Sequence, residues 1–176
     1  MKIQLIISAL TLLSSCSSNK NLTSTLSKKE NTISIETICP EDGKCSIEIF
    51  KNKSLTVLSD QFGSIYTQQL DSPETSVIVY QYDRNVPKDL QDAHYREEII
   101  FEISNSTSSL TLKDKDIQIT KMLFGRFCFC RGQTGYYKVE NGVLNLSQKE
   151  DEINLNLNFK INEVPQKIQT INVTIK

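Results

Sequence analysis

The chain has 176 residues, enough for one domain with its own core and too few for two ordinary ones. Lys plus Arg number 20 against 21 Asp plus Glu, so there is no basic excess to displace counterions from phosphate, which argues against nucleic acid as a partner. A hydrophobic content of 38%, no Trp and a single His fit a thin two-layer β structure and leave few groups for catalysis.

The first fifteen residues fall into three zones. Met1-Lys2 is a short positive start, Ile3 to Leu13 is a mainly apolar stretch, and Leu13-Ser14-Ser15-Cys16 closes the segment. A bilayer core of roughly 30 Å needs about 20 apolar residues as a helix, so this run is too short to span. It reads as a signal peptide. Its last four residues resemble the lipobox of bacterial lipoproteins: Leu, two small residues, then Cys. The resemblance covers residues 1–16 only. It implies that the Cys16 thiol takes a diacylglycerol, that the bond before it is cut, and that the new amino terminus is acylated. Two or three acyl chains make such an anchor effectively permanent, at about 0.8 kcal/mol per buried CH₂. Neither Ser17 nor Ser18 is the Asp that retains the family's enteric members at the inner membrane, so the resemblance points to the outer membrane. Residues 17–31, rich in Ser, Asn, Thr and Lys, are too polar to offset their ordering entropy. With Cys16 they are expected to form a flexible tether reaching roughly 20 Å, leaving 32–176 as a single domain.

From Thr32 onward the apolar period is two. Ile33 and Ile35 alternate with polar residues, as do Ile47 and Ile49, Leu55 and Val57, and then Ile65 with Tyr66 after Gly63. Ser76 to Tyr82 is a continuous apolar and aromatic run, suited to a central strand buried on both faces. Arg84 to Tyr95 is irregular, and KDLQDAHYREE after Pro87 is expected to form one or two helical turns. Glu98–Ile103 and Leu110–Leu112 read as strands, and Ile117, Ile119 and the stretch around Phe127 continue the series. Asn141-Gly142 is a strong two-residue hairpin signal; it predicts Val139 opposite Leu144 and Tyr137 opposite Leu146. Ile153, Leu155, Leu157, Phe159 and Ile161 alternate strictly with Asn154, Asn156, Asn158 and Lys160, giving one dry and one wet face. Pro165 marks a turn before the closing strand of Ile171, Val173 and Ile175. The expected fold is all-β: a disulfide-stabilised antiparallel sandwich or flattened barrel of about 10–12 short strands.

Setting Cys16 aside leaves Cys39, Cys45, Cys128 and Cys130, an even number in an exported chain, which favours disulfides. Cys39 and Cys45 flank a PEDGK loop and can face each other across it. Cys128 and Cys130 alternate with Phe127 and Phe129, so on a strand both thiols point one way, close to the roughly 7 Å limit for bridging. Local pairing and pairing between the two sets both remain open, with the unstrained cross-linked arrangement preferred. A redox reading of Cys128-Phe129-Cys130 is weak, because reactive pairs favour CxxC at a helix start. Structural zinc is disfavoured by spacing and compartment.

His94 lies near Asp92, Glu97 and Glu98, and on a helical turn His94 and Glu98 would share a face fit for acid–base or metal chemistry. A solvated charged loop is the commoner meaning of such a run. Glu41 and Asp42 supply too few oxygens for Ca²⁺. Arg131-Gly132-Gln133-Thr134-Gly135 lacks the Lys of a phosphate loop and suits a bulge or turn. Tyr80, Tyr82, Tyr95, Tyr136 and Tyr137 would line a carbohydrate or peptide groove if exposed together, though strand tyrosines are more often half-buried. The expectation is therefore a non-enzymatic, lipid-anchored envelope domain with a binding or structural role, with a protein or glycan as its ligand where it binds, no cofactor and no metal. The competing reading is an envelope enzyme using Cys128/Cys130 or the His94 cluster.

Overall fold

The computed structural model describes the backbone of 33–35 and residues 39–87, 89–90, 92–150 and 152–176. The expected signal segment, Cys16 and the expected tether lie outside the described residues.

Ten strands form two five-stranded antiparallel sheets, so the all-β sandwich expected from the period-two pattern is what the chain adopts. In chain order they are β1 (Ile33–Ile35), β2 (Gly43–Ser59), β3 (Ile65–Arg84), β4 (Tyr95–Ser104), β5 (Ser109–Lys113), β6 (Leu123–Cys128), β7 (Gly135–Lys138), β8 (Gly142–Lys149), β9 (Glu152–Phe159) and β10 (Thr170–Ile175). The first sheet has the order β1-β10-β9-β8-β5 and the second β2-β3-β4-β6-β7. Alternating Leu and Ile of β8, β9 and β10 meet Ile78, Tyr80, Ile99, Phe101 and Phe124 in the main core. The strict alternation of β9 survives intact, with Leu155, Leu157 and Phe159 buried and Asn156 and Asn158 exposed. Val77 to Tyr82 runs centrally between β2 and β4, as its continuous apolar character requires.

Strand lengths differ from the expected short segments. Ile47/Ile49 and Leu55/Val57 belong to one 17-residue strand, and β3 runs for 20 residues. The joint lies at Lys51–Lys53, where Asn52 takes φ 58° and the register jumps from Lys51↔Ser76 to Lys53↔Asp71. Asn tolerates this left-handed conformation better than most residues, so the chain bulges without ending the strand. Beyond the bulge, fully buried Leu55 packs with Val77, Ile100 and Leu123 on the outer face of the second sheet, forming a second core. Two polar ties fix it. Leu55 N donates to Glu102 Oε2 at 2.7 Å, and Lys121 Nζ donates to Leu55 O at 2.9 Å.

Three local expectations are corrected. Asn141-Gly142 is not a hairpin: β7 pairs with β6 in the second sheet, while β8 pairs with β5 and β9 in the first. Tyr137 therefore faces Phe124, not Leu146. The dipeptide carries the chain between sheets, and Gly142 is needed there. Its φ is 151°, and a Cβ would lie 2.2 Å from Asn158 O. Second, Asp114–Thr120 is a 3₁₀ helix, not a strand. With three residues per turn it buries Ile117 with Thr120 and leaves Ile119 72% exposed, whereas a strand would put Ile117 and Ile119 on one face. Third, the strand of Tyr95–Ser104 takes over where a helical turn around His94 was expected.

Gly142→Ala should destabilise the fold by at least about 2 kcal/mol, because strained backbone and a clash with a neighbouring backbone combine. Urea unfolding of the variant, with an unchanged m-value, checks this.

Candidate functional site

The flagged cysteines converge on one end of the second sheet. Strand register places Cys45 opposite Tyr82 and Tyr95 opposite Cys128. Each disulfide is local: Cys39–Cys45 with Cα atoms 5.8 Å apart, and Cys128–Cys130 with Cα atoms 5.1 Å apart. This corrects the preference for cross-linking between the pairs. The physical reason lies in the register: β3 and β4 stand between β2 and β6, so two central strands, about 4.8 Å from each neighbour, separate the pairs. Residues 128–130 also escape the extended spacing assumed for them, because β6 ends at Cys128. Phe129 between them is 82% exposed.

Around the disulfides lies a polar network. Glu97, 1% exposed, accepts hydrogen bonds from Lys167 N at 2.7 Å, Ile168 N at 2.8 Å and the Tyr95 hydroxyl. Tyr95 in turn accepts from buried Arg126 Nε at 3.3 Å. Arg126 Nη1 donates to Gln133 O and Oε1, which orders the turn of Arg131–Gly135. Asp42 accepts from the Tyr82 hydroxyl at 2.7 Å and pairs with Lys167 Nζ at 3.2 Å. These bonds, Tyr82 first, hold the Asp42 carboxyl below the usual carboxylate range. Asp42 is thus committed to Tyr82 and Lys167.

The remaining flagged residues are dispersed. His94 is exposed on the loop before β4. Glu98 sits within β4 on the opposite face from Glu97, where Arg96 Nη2 lies 3.5 Å from it and the Tyr136 hydroxyl donates to it. The shared helical face of His94 and Glu98 is not formed. The tyrosines do not form one groove either: Tyr80 and Tyr82 are buried in the main core, while Tyr136 and Tyr137 point to opposite faces of β7. Burial pushes the Tyr80, Tyr95 and Tyr136 hydroxyls up to about 12, aided by Glu97 at Tyr95 and Glu98 at Tyr136. Tyr82 is raised by burial and by Asp42. At neutral pH all four keep their protons: Tyr82, Tyr95 and Tyr136 donate hydrogen bonds, and the buried Tyr80 hydroxyl has no partner among the described residues. Among the described residues, no group of three or more His, Cys, Asp or Glu is placed to hold a metal.

Sequence reasoning passed over Arg126 and Lys167, and it read Glu97 as part of a charged loop. A signal was available in Tyr95-Arg96-Glu97-Glu98-Ile99-Ile100-Phe101, where charges interrupt an otherwise buried strand. Comparison of the chain with protein-family models, with curated proteins and with solved structures finds no match.

Raising the pH should reveal the buried phenols. A group whose pKa is higher folded than unfolded contributes stability that is full below the unfolded value and lost as pH rises through the folded one. Stability should therefore fall between about pH 10 and pH 12, where unfolded tyrosines ionise first. Phenolate absorbance followed alongside circular dichroism should show these tyrosines ionising together with unfolding.

Proposed function

We propose that this chain is a cell-envelope lipoprotein, anchored through lipid on Cys16, whose β domain is a non-enzymatic binding module for a protein or glycan. The observation that carries the reading is cysteine usage. All four cysteines after Cys16 pair within the domain, and disulfides of this kind persist in oxidising compartments outside the cytosol. Export is what the segment before Cys16 encodes, and the pairing leaves Cys16 as the one cysteine without a disulfide role. The outer membrane follows from Ser17 and Ser18 by the same resemblance, and residues 17–31 act as the tether.

Three features support binding over catalysis. The tyrosine hydroxyls keep their protons at neutral pH, and His94 stands apart from Glu98 on the rim. The carboxylate with most contacts, Glu97, spends its oxygens on backbone N–H groups, which is structural work.

Cys16→Ser tests the anchor. The variant should lose incorporation of labelled fatty acid and leave the membrane fraction, or accumulate as unprocessed precursor. Normal processing with unchanged membrane fractionation would contradict the proposal.

A further inference from the structure

The outer face of the first sheet differs in kind from the rest of the surface. Charged residues make up 23% of the chain, yet the middle of this face carries none. Register aligns Thr111, Asn145, Asn156 and Asn172 in one row across β5, β8, β9 and β10. Ser109, Ser147, Asn154 and Thr174 form the next row. The charged residues of these strands, Lys113, Lys149 and Glu152, stand at the strand ends. A shallow groove of about 190 Å³ opens over the two rows, lined by Asn, Ser and Thr side chains of both rows together with Leu110, Leu146 and Leu155.

Sheet geometry turns this composition into a grid. Neighbouring strands are about 4.8 Å apart and same-face residues about 6.8 Å apart, so a row of four spans about 14 Å. The grid is also pre-set. Thr111 Oγ1 donates to Asn145 Oδ1 at 3.1 Å, and Thr174 Oγ1 donates to Asn154 Oδ1 at 2.8 Å. Side chains already held by neighbours lose less freedom when a ligand arrives.

The charge pattern selects the ligand. A phosphorylated or sulfated ligand calls for cations, and a basic peptide calls for carboxylates. An apolar segment calls for exposed apolar side chains. This groove offers amides and hydroxyls, partly bonded to one another, that between them donate and accept, around leucines that point mainly into the core. Sugar hydroxyls of an uncharged glycan need such partners at regular spacing. We infer that this face binds a neutral polysaccharide strand laid across β5, β8, β9 and β10. The inference rests on the reading of the domain as a binding module and supplies its ligand class and location. No aromatic ring lines the groove, so affinity comes from many hydrogen bonds instead of stacking, and it grows with glycan length.

Calorimetric titration of the purified chain with cellohexaose, chitohexaose, maltohexaose and laminarihexaose tests this. At least one should bind with a Kd between about 0.01 and 1 mM, and its disaccharide should bind at least about tenfold more weakly. Asn156→Ala and Asn145→Ala should each weaken binding about fivefold or more, with melting temperature unchanged because both side chains are exposed. Absence of binding to all four sugars, or binding indifferent to both substitutions, overturns the inference. A dimer that Asn156→Lys dissolves also overturns it, since a second copy then occupies the face. None of these outcomes bears on anchoring, which Cys16→Ser fractionation decides separately.

Discussion

The rest of the structure depends on the Glu97 carboxylate. It belongs to the second sheet, yet two of its donors are backbone N–H groups of Lys167 and Ile168, in the loop that links β9 to β10 of the first. A carboxylate this deeply buried is tolerable only when its oxygens are satisfied. The observed placement of the loop does so. Gln166 Nε2 reinforces that placement by donating to Phe159 O and Ile168 O, and Val164 and Ile168 then complete the core. Lys167 extends the lock to Asp42, and Asp42 to Tyr82. The loop closed by Cys39–Cys45, the start of β4 and the loop between β9 and β10 are thereby tied together.

The opposite need, enough apolar burial from a chain that is only 38% hydrophobic, is met by the long β2–β3 arm. Turned at Asn52, it lays Leu55 on a face that would otherwise leave Val77, Ile100 and Leu123 to solvent. The tie is a charge pair serving a backbone: Lys121 and Glu102, 2.7 Å apart, each bond one polar group of Leu55. Burying the backbone of a bent strand would leave such groups without partners, so the pair makes the second core possible.

What was legible follows from what is local. The alternation of β9 and β10 gave their faces directly, and the parity of the cysteines gave two disulfides. Cysteine connectivity depended on which strands intervene between β2 and β6, and that is a matter of topology. Asn141-Gly142 misled because the positive φ open to Gly142 suits a crossing between sheets as well as a hairpin turn. Ile117 and Ile119 misled because two residues cannot separate a strand from a 3₁₀ turn. Glu97 carried no local mark of its partners, which lie 70 and 71 residues away. The polar rows were visible within β9 alone, and their continuation through Thr111, Asn145 and Asn172 appeared only with the register.

The two outer faces of the sandwich are treated differently. One is covered by the chain's own hairpin and is built from Val, Ile and Leu. The other is left open and is built in its middle from Asn, Thr and Ser. Asn is a poor strand residue, and Thr, Val or a charged side chain would serve an ordinary solvated face at least as well. Asn145, Asn154, Asn156, Asn158 and Asn172 nevertheless occupy outward positions of three adjacent strands. The Leu and Ile on their inner sides hold those strands in place in spite of that local preference. Places where local preference yields while the core compensates are where a surface property, rather than the fold, accounts for the residues. Here that property is an uncharged, hydrogen-bonding plane at sheet spacing.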